Sequence, residues 1–126
     1  MALWVDIAGI EKSLYDEMKT VCPNVFVNNA PKSAPTAMGE FVVVNFGSAV
    51  YDRNAYKESY ATIYLFVRNK RSSVENSARI AELSNKILTK LPIVTEKYSL
   101  TSPSVSYGTL NGEFTQTTIR CELLIK

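Results

Sequence analysis

The two cysteines are the first residues to test for chemistry. Cys22 and Cys121 lie near opposite ends of the chain, form no Cys-x-x-Cys pair, and have no histidine to join them because the chain contains none. A zinc site therefore lacks its ligand set, and Cys–His or Ser–His–Asp catalysis is excluded. We expect both thiols to behave as small buried hydrophobes. A disulfide between them is the alternative, and it needs an oxidising compartment.

Other side chains able to do acid–base or phosphate chemistry are scattered. The five glycines stand at 9, 39, 47, 108 and 112, so no glycine-rich phosphate loop is present. Glu75 and Glu82 fall on the charged side of a predicted helix, where ion pairing is the expected role. Asp52 and Arg53 lie in a predicted loop, and no lysine is singled out as a nucleophile. We therefore expect no enzyme, no cofactor and no metal.

The charge balance excludes several classes of partner. The chain has 14 Lys and Arg against 12 Asp and Glu, a net charge of +2. This bias is too small to indicate nucleic acid or an anionic membrane surface, and no apolar run approaches the ~20 residues of a membrane span. The local cluster Arg68, Lys70 and Arg71 is interpreted as a solvated turn, with contact to an acidic partner surface as the alternative.

The elements that must position any site follow from length and pattern. At 126 residues and 46% hydrophobic content, residues 1–126 are expected to form one domain with its own core. The first residues, Met-Ala-Leu-Trp-Val-Asp, lack the basic start and long apolar stretch of a signal peptide, so a reducing cytoplasm is expected.

Two helices are predicted. Apolar residues three and four apart form the stripe of the first, which ends before Pro23: Leu3, Ile7, Ile10, Leu14, Met18 and Val21. The second runs from about 73 to 91 behind a Ser72–Glu75 capping box and ends at Pro92. Its charged residues occupy a narrow sector, which predicts that it is largely buried and touches the other helix.

Strands occupy most of the other segments. Val25–Val27 and Phe41–Phe46 are β-prone, and the continuous apolar run of the second predicts burial on both faces. Residues 115–125 alternate, with Thr117, Ile119, Cys121, Leu123 and Ile125 inward. A short strand at 104–107 and a turn supplied by Gly108, Asn111 and Gly112 precede them, while 93–98 is left as loop or strand. A mostly antiparallel sheet with two helices on one face, an α+β domain, fits this order best.

Residues 60–68 alternate cleanly and define two unlike faces. Ala61, Ile63, Leu65 and Val67 are aliphatic and belong under the helices. The opposite face is aromatic, and such side chains are enriched at interfaces. Together with the basic turn, it gives the predicted interface: Tyr60, Thr62, Tyr64, Phe66, Arg68, Lys70 and Arg71.

The order of elements resembles the tail-terminator and tail-completion (head–tail joining) proteins of long-tailed bacteriophages. The segments that carry the resemblance are the helix ending at Cys22-Pro23, the strand Val25–Val27, the loop with Ala30-Pro31, the strand Phe41–Val44, the strand Tyr60–Arg68 and the helix 73–91. The resemblance implies a structural subunit that closes into a ring, commonly a hexamer, between tail tube and head connector. It also implies a virion component assembled in the cytoplasm, without cofactor or catalysis.

Three functional hypotheses follow. The first is this structural assembly protein, for which a glutamate at Tyr64 or Phe66 is expected to weaken self-association in a folded monomer. The second is a non-catalytic binding module that holds a peptide or small ligand in a pocket lined by Tyr60, Tyr64 and Phe66. The third is an enzyme, which would need clustered carboxylates or a perturbed lysine in such a pocket.

Overall fold

A computed structural model describes residues 7–28, 39–46, 51–52, 57–70, 76–111 and 114–126. The elements along this part of the chain are α1 (Ile7–Lys19), β1 (Val25–Val27), β2 (Glu40–Phe46), β3 (Tyr51–Asp52), β4 (Lys57–Arg68), α2 (Ser77–Lys90), β5 (Ile93–Val94), β6 (Tyr98–Asn111) and β7 (Phe114–Ile125). Neither described helix is long and apolar enough to cross a bilayer.

The described strands form a single sheet in the order β1-β2-β4-β7-β6-β5, with β3 also paired to β4. β1 and β2 are parallel, and every other neighbouring pair is antiparallel. Both helices contribute to one core with the same side of this sheet. The predicted α+β architecture is confirmed.

The side of the sheet covered by α1 and α2, here called the helix side, carries the main core. Ile10, Leu14 and Met18 of α1 are buried as the stripe predicts. They join an aliphatic layer from α2 and the strands that includes Ile80, Leu83, Ile87, Val42, Val44, Ala61, Ile63, Leu65, Ile119, Cys121 and Leu123. The two helices are also joined by an ion pair, Lys90 Nζ to Glu17 Oε2 at 3.5 Å. Burial of this apolar area is the main source of stability.

β2 is buried on both sides of the sheet. Phe41, Val42, Val43 and Val44 are all buried, although alternate residues point to opposite sides of the sheet. The predicted burial on both faces is therefore confirmed, and it requires apolar side chains beneath the helices and on the opposite side as well.

The second helix differs from its prediction in start and burial. It begins at Ser77, with Asn76 as a cap whose side chain makes no capping hydrogen bond. Ser72 and Glu75 lie outside the described residues. The prediction that the helix is largely buried is wrong, because Ala78 and Ala81 are exposed and one stripe alone faces the sheet. Counting Ala78 and Ala81 as apolar made the predicted apolar arc of the helix too wide, because a side chain as short as alanine is often exposed.

An ion pair fixes α2 against β2. The guanidinium of Arg79 binds both carboxylate oxygens of Glu40, with Nε 2.8 Å from Oε2 and Nη2 on Oε1. Glu82 approaches the same guanidinium at 3.0 Å and also pairs with Lys86 at 3.6 Å. The ion-pairing role expected of Glu82 is confirmed. Arg79 bonds across to the sheet, where its bidentate contact with Glu40 fixes the orientation of the guanidinium.

The two cysteines are buried and unpaired, as expected. Burial raises the pKa of the Cys121 thiol to about 11. Burial likewise raises the pKa of Cys22, whose Sγ lies 3.6 Å from the Asn24 carbonyl oxygen. Thiols with raised pKa values are poor nucleophiles at neutral pH.

β6 is far longer than the short strand predicted at 104–107. It pairs with β7 from Tyr98 to Asn111, with register shifts between Thr101 and Ser104 and between Ser106 and Thr109. Gly108 lies inside the second irregularity at φ 76° rather than in the hairpin turn. A glycine at positive φ within an antiparallel pair is typical of a β-bulge, which has a turn-like composition.

Gly108→Ala is expected to lower the free energy of unfolding by about 1 kcal/mol, because a Cβ is strained at this φ. Gly39→Ala is the matched control, since a Cβ there meets no atom within 4 Å, and it should be neutral or slightly stabilising. Urea denaturation of both variants measures the difference. Equal stabilities for the two would contradict a positive φ at Gly108.

Candidate functional site

The sheet side opposite the helices, here called the distal face, carries the predicted interface. Along β4, burial alternates so that helix-side residues are buried and the intervening residues are partly accessible. The alternation brings Tyr60, Thr62, Tyr64, Phe66 and Arg68 together on the distal face. Lys70 follows the strand and is exposed, while Arg71 lies outside the described residues.

Neighbouring strands add an aromatic cluster to this face that the sequence reasoning missed. It comprises Phe26, Phe41, Val43, Tyr64, Phe66 and Phe114. The rings of Phe41 and Phe66 stack at 4.5 Å, and Phe26 and Phe114 meet Phe41 edge-on at 6.1 and 5.2 Å. The sequence did contain evidence for it: in a strand, residues 41 and 43 must point to the face opposite residues 42 and 44. With 42 and 44 under the helices, 41 and 43 place apolar side chains on the distal face.

The distal face is therefore partly covered by its own side chains. Phe41, Val43 and Phe114 are buried, whereas Tyr64 and Phe66 are half-buried at the margin of the cluster. Tyr60 is 40% exposed and lies outside the cluster. Tyr60, Tyr64 and Phe66 are thus the rings of β4 with surface left to contact another molecule.

Two arginines lie on rings of the same face. The Arg68 guanidinium is 4.6 Å from the centre of the Phe114 ring, and that of Arg120 is 4.3 Å from the centre of the Tyr60 ring. Contacts of this kind are attractive and favour a cation placed over the ring. Arg68 therefore packs on the sheet instead of belonging to a solvated basic turn with Lys70.

A shallow groove on the distal face crosses β2, β4 and β7. Its volume is about 280 Å³, and it is lined by Asn28, Val43, Asn45, Tyr64, Phe66 and Gln116. The Asn28 amide is already engaged, because its Nδ2 donates to Glu11 at 2.8 Å and its Oδ1 accepts from the Phe46 N–H at 3.3 Å. Gln116 donates to Thr118 at 3.1 Å. The lining contains no Asp, Glu, Lys or Arg, so the groove suits contact better than proton transfer.

A second cleft, of about 390 Å³, lies between the start of α1 and the β5–β6 turn. Ser13 and Tyr98 share a hydrogen bond of 2.8 Å beneath it. Burial raises the pKa of the Tyr98 phenol, so this group stays protonated and structural at neutral pH. Among the residues that the structure describes, no three His, Cys, Asp or Glu side chains gather in a way that could hold a metal ion.

Comparison with known proteins identifies the fold alone. No family model and no curated protein matches the chain. One solved structure, whose name carries no functional description, superposes with a TM-score of 0.60 at 18% sequence identity. The match covers 95% of this chain and 92% of that one, so the same architecture extends over both.

Proposed function

We propose that this chain is a structural assembly subunit that closes into a ring with copies of itself, in the manner of the phage tail-terminator proteins that its element order resembles. The observation that carries the proposal is the partly exposed aromatic row Tyr60, Tyr64 and Phe66 on the distal face. Tyrosine and phenylalanine provide a large contact area with few rotatable bonds, which favours protein–protein interfaces.

The surroundings of this row support contact rather than catalysis. The aromatic cluster contains rings stacked at 4.5 Å. Arg68 lies on its Phe114 ring and Arg120 on the neighbouring Tyr60 ring, and arginine is enriched at protein–protein interfaces. A stable apolar centre with a polar margin is the ordinary anatomy of a protein–protein contact. In the proposed ring, hexameric as the resemblance implies, one such patch meets a different patch on the next copy.

The mass of the native protein in solution tests the proposal directly. We expect a closed multimer by light scattering after gel filtration, and rings in electron micrographs of the same fraction. A protein that stays monomeric at micromolar to millimolar concentration, with circular dichroism of a folded α+β domain, would overturn the ring.

Tyr60→Glu is expected to weaken self-association at least tenfold, because it removes an exposed ring from the contact and places there a charge that must lose its water, which together cost more than about 1.4 kcal/mol. Tyr60 replaces the Tyr64 and Phe66 positions as the test site, since Phe66 stacks on Phe41 and a charge there also disturbs folding. Asn85→Glu on the exposed side of α2 is the control with the same added charge. Equal masses for both variants and the native chain would exclude the distal face as a contact.

The groove favours one second candidate, a non-catalytic module that binds a peptide or small ligand. It places Tyr64 and Phe66 beside the Asn45 side chain, which offers both a donor and an acceptor. Tyr60 does not line it, so the expected three-ring pocket is reduced to two rings. A monomer whose Tyr64 and Phe66 resonances shift on titration with a peptide library would support this candidate over the ring.

A further inference from the structure

The outer edge of β6 is the longest stretch of strand without a neighbour in the part of the chain that the structure describes. β5 pairs with Ser99 and Leu100 only. From Ser104 to Asn111, no described strand lies on the side of β6 away from β7. We call this stretch the open edge. Ser104, Ser106 and Tyr107 within it are exposed.

Backbone hydrogen bonds show which groups point outward along the open edge. The Val42 N–H donates to the Asn24 carbonyl, and the Val44 carbonyl accepts from the Asn28 N–H, so helix-side residues of β2 bond toward β1. Bonding direction alternates along a strand and across antiparallel pairs. This alternation applies to each strand pair in turn, from β2 to β4, then to β7 and β6. It places the N–H and C=O of Val105 on the side of β6 that faces away from β7.

The side chains of the open edge do not protect it with charge. Natural edge strands commonly carry lysine or other charged residues, which prevent pairing with another strand. β6 contains none among its 14 residues. Among the described large hydrophobic residues, the side chains of Tyr107, at 66%, and Val94, at 64%, are the most exposed to solvent. Both belong to the two strands at this edge of the sheet, β6 and β5. Pro103 and the bulge at Gly108 shorten the stretch of the open edge that can pair, but they leave Ser104 to Tyr107 available.

At the opposite edge of the sheet, β1 runs in the direction needed for antiparallel pairing with the open edge of another copy. β1 is the outermost described strand there and runs parallel to β2. The three antiparallel steps from β2 to β6 make β6 antiparallel to β1. A second copy placed beside the first would therefore join β6 to β1 in antiparallel pairing. Two different edges in contact form a heterologous interface, which closes into a ring when the rotation allows.

We propose that the open edge of β6 pairs with β1 of a neighbouring copy, so that the sheets of successive subunits become continuous. This inference rests on the proposed assembly function and adds a contact at the sheet edge to the distal-face contact proposed above. Backbone pairing supplies the geometry, and the Tyr107 side chain supplies apolar area beside it.

Tyr107→Lys tests the edge, with Val94→Lys as the matched control of nearly equal exposure outside the open edge. We expect the first to raise the dissociation constant of the multimer at least tenfold and the second to leave it unchanged. A native multimer that withstands Tyr107→Lys but dissociates with Tyr60→Glu would overturn the edge pairing and leave the ring standing. A native protein that is monomeric would overturn both.

Cross-linking identifies the strand that pairs. Cys22 and Cys121 are buried, so a short bis-maleimide will react mainly with introduced thiols. The variant Val105→Cys with Val27→Cys should give covalent chains of several subunits, while Val105→Cys alone should give none. Dimers from Val105→Cys alone would show β6 pairing with β6 and would overturn β1 as the partner. A double variant that forms a multimer but no cross-linked species would also overturn it.

Discussion

Replacing Phe41 by alanine is expected to lower the free energy of unfolding by about 3–5 kcal/mol. Phe41 is 4% exposed and contacts three other rings, those of Phe26, Phe66 and Phe114. The loss combines buried ring area, the cavity left behind and the ring-to-ring geometry, which adds about 0.5–1.5 kcal/mol for each pair. Urea or guanidinium denaturation followed by circular dichroism measures it.

Phe26→Ala is the matched control for Phe41→Ala. Phe26 is half-buried and meets the cluster through one edge-on contact at 6.1 Å, so its truncation should cost clearly less. A loss below about 1 kcal/mol for Phe41→Ala, or an equal loss for both variants, would contradict the stacked arrangement.

Alkaline pH is expected to destabilise the fold through Cys121. Burial raises the pKa of its thiol from 9.0 to about 11. The folded protein therefore holds the proton at pH values where the unfolded chain has released it. Stability should be intact below pH 9, fall as pH rises from 9, and level off above 11. The two pKa units correspond to about 2.7 kcal/mol as an upper value.

Cys121→Ala isolates this contribution. The free energy of unfolding of the variant should be lower at pH 7, because a buried group is removed, yet it should decline less between pH 9 and 11 than that of the native chain. Taking the difference cancels the titration of lysines and the parallel effects of Cys22 and Tyr98, whose pKa values burial also raises. Identical slopes in the two proteins would show that the Cys121 thiol is accessible to water.

Local pattern predicted the parts of the fold that depend on a single element. The α1 stripe at Ile10, Leu14 and Met18 and the alternation of β4 repeat with the period of their own backbone, so burial follows from spacing. The start and the burial of α2 were predicted less accurately, because those predictions used its charges, a capping motif and its alanines. They placed its start near 73 instead of Ser77 and overestimated its burial.

The extent of β6 and the aromatic cluster were not predictable in the same way. The length of β6 is set by its pairing with β7. Pro103 and Gly108 are residue types typical of turns, so the sequence of β6 alone indicates a shorter strand. The cluster joins Phe26, Phe41 and Phe114 from three strands. Likewise, Arg68 meets Phe114 because the β4–β7 register places them opposite one another. Contacts between distant segments depend on pairing that no local window contains.

The Arg79–Glu40 ion pair lies one residue away from the aromatic cluster on the other side of the sheet. Glu40 begins β2, and its carbonyl accepts a hydrogen bond from Asn24 at 3.1 Å while its carboxylate holds Arg79 of α2. The next residue, Phe41, is the centre of the aromatic cluster on the other side. One peptide unit thus links the helical layer to the opposite surface. The Glu40–Phe41 peptide therefore couples the position of α2 to that of the aromatic cluster, and in the proposed assembly a partner that contacts this cluster would act on the helix through it.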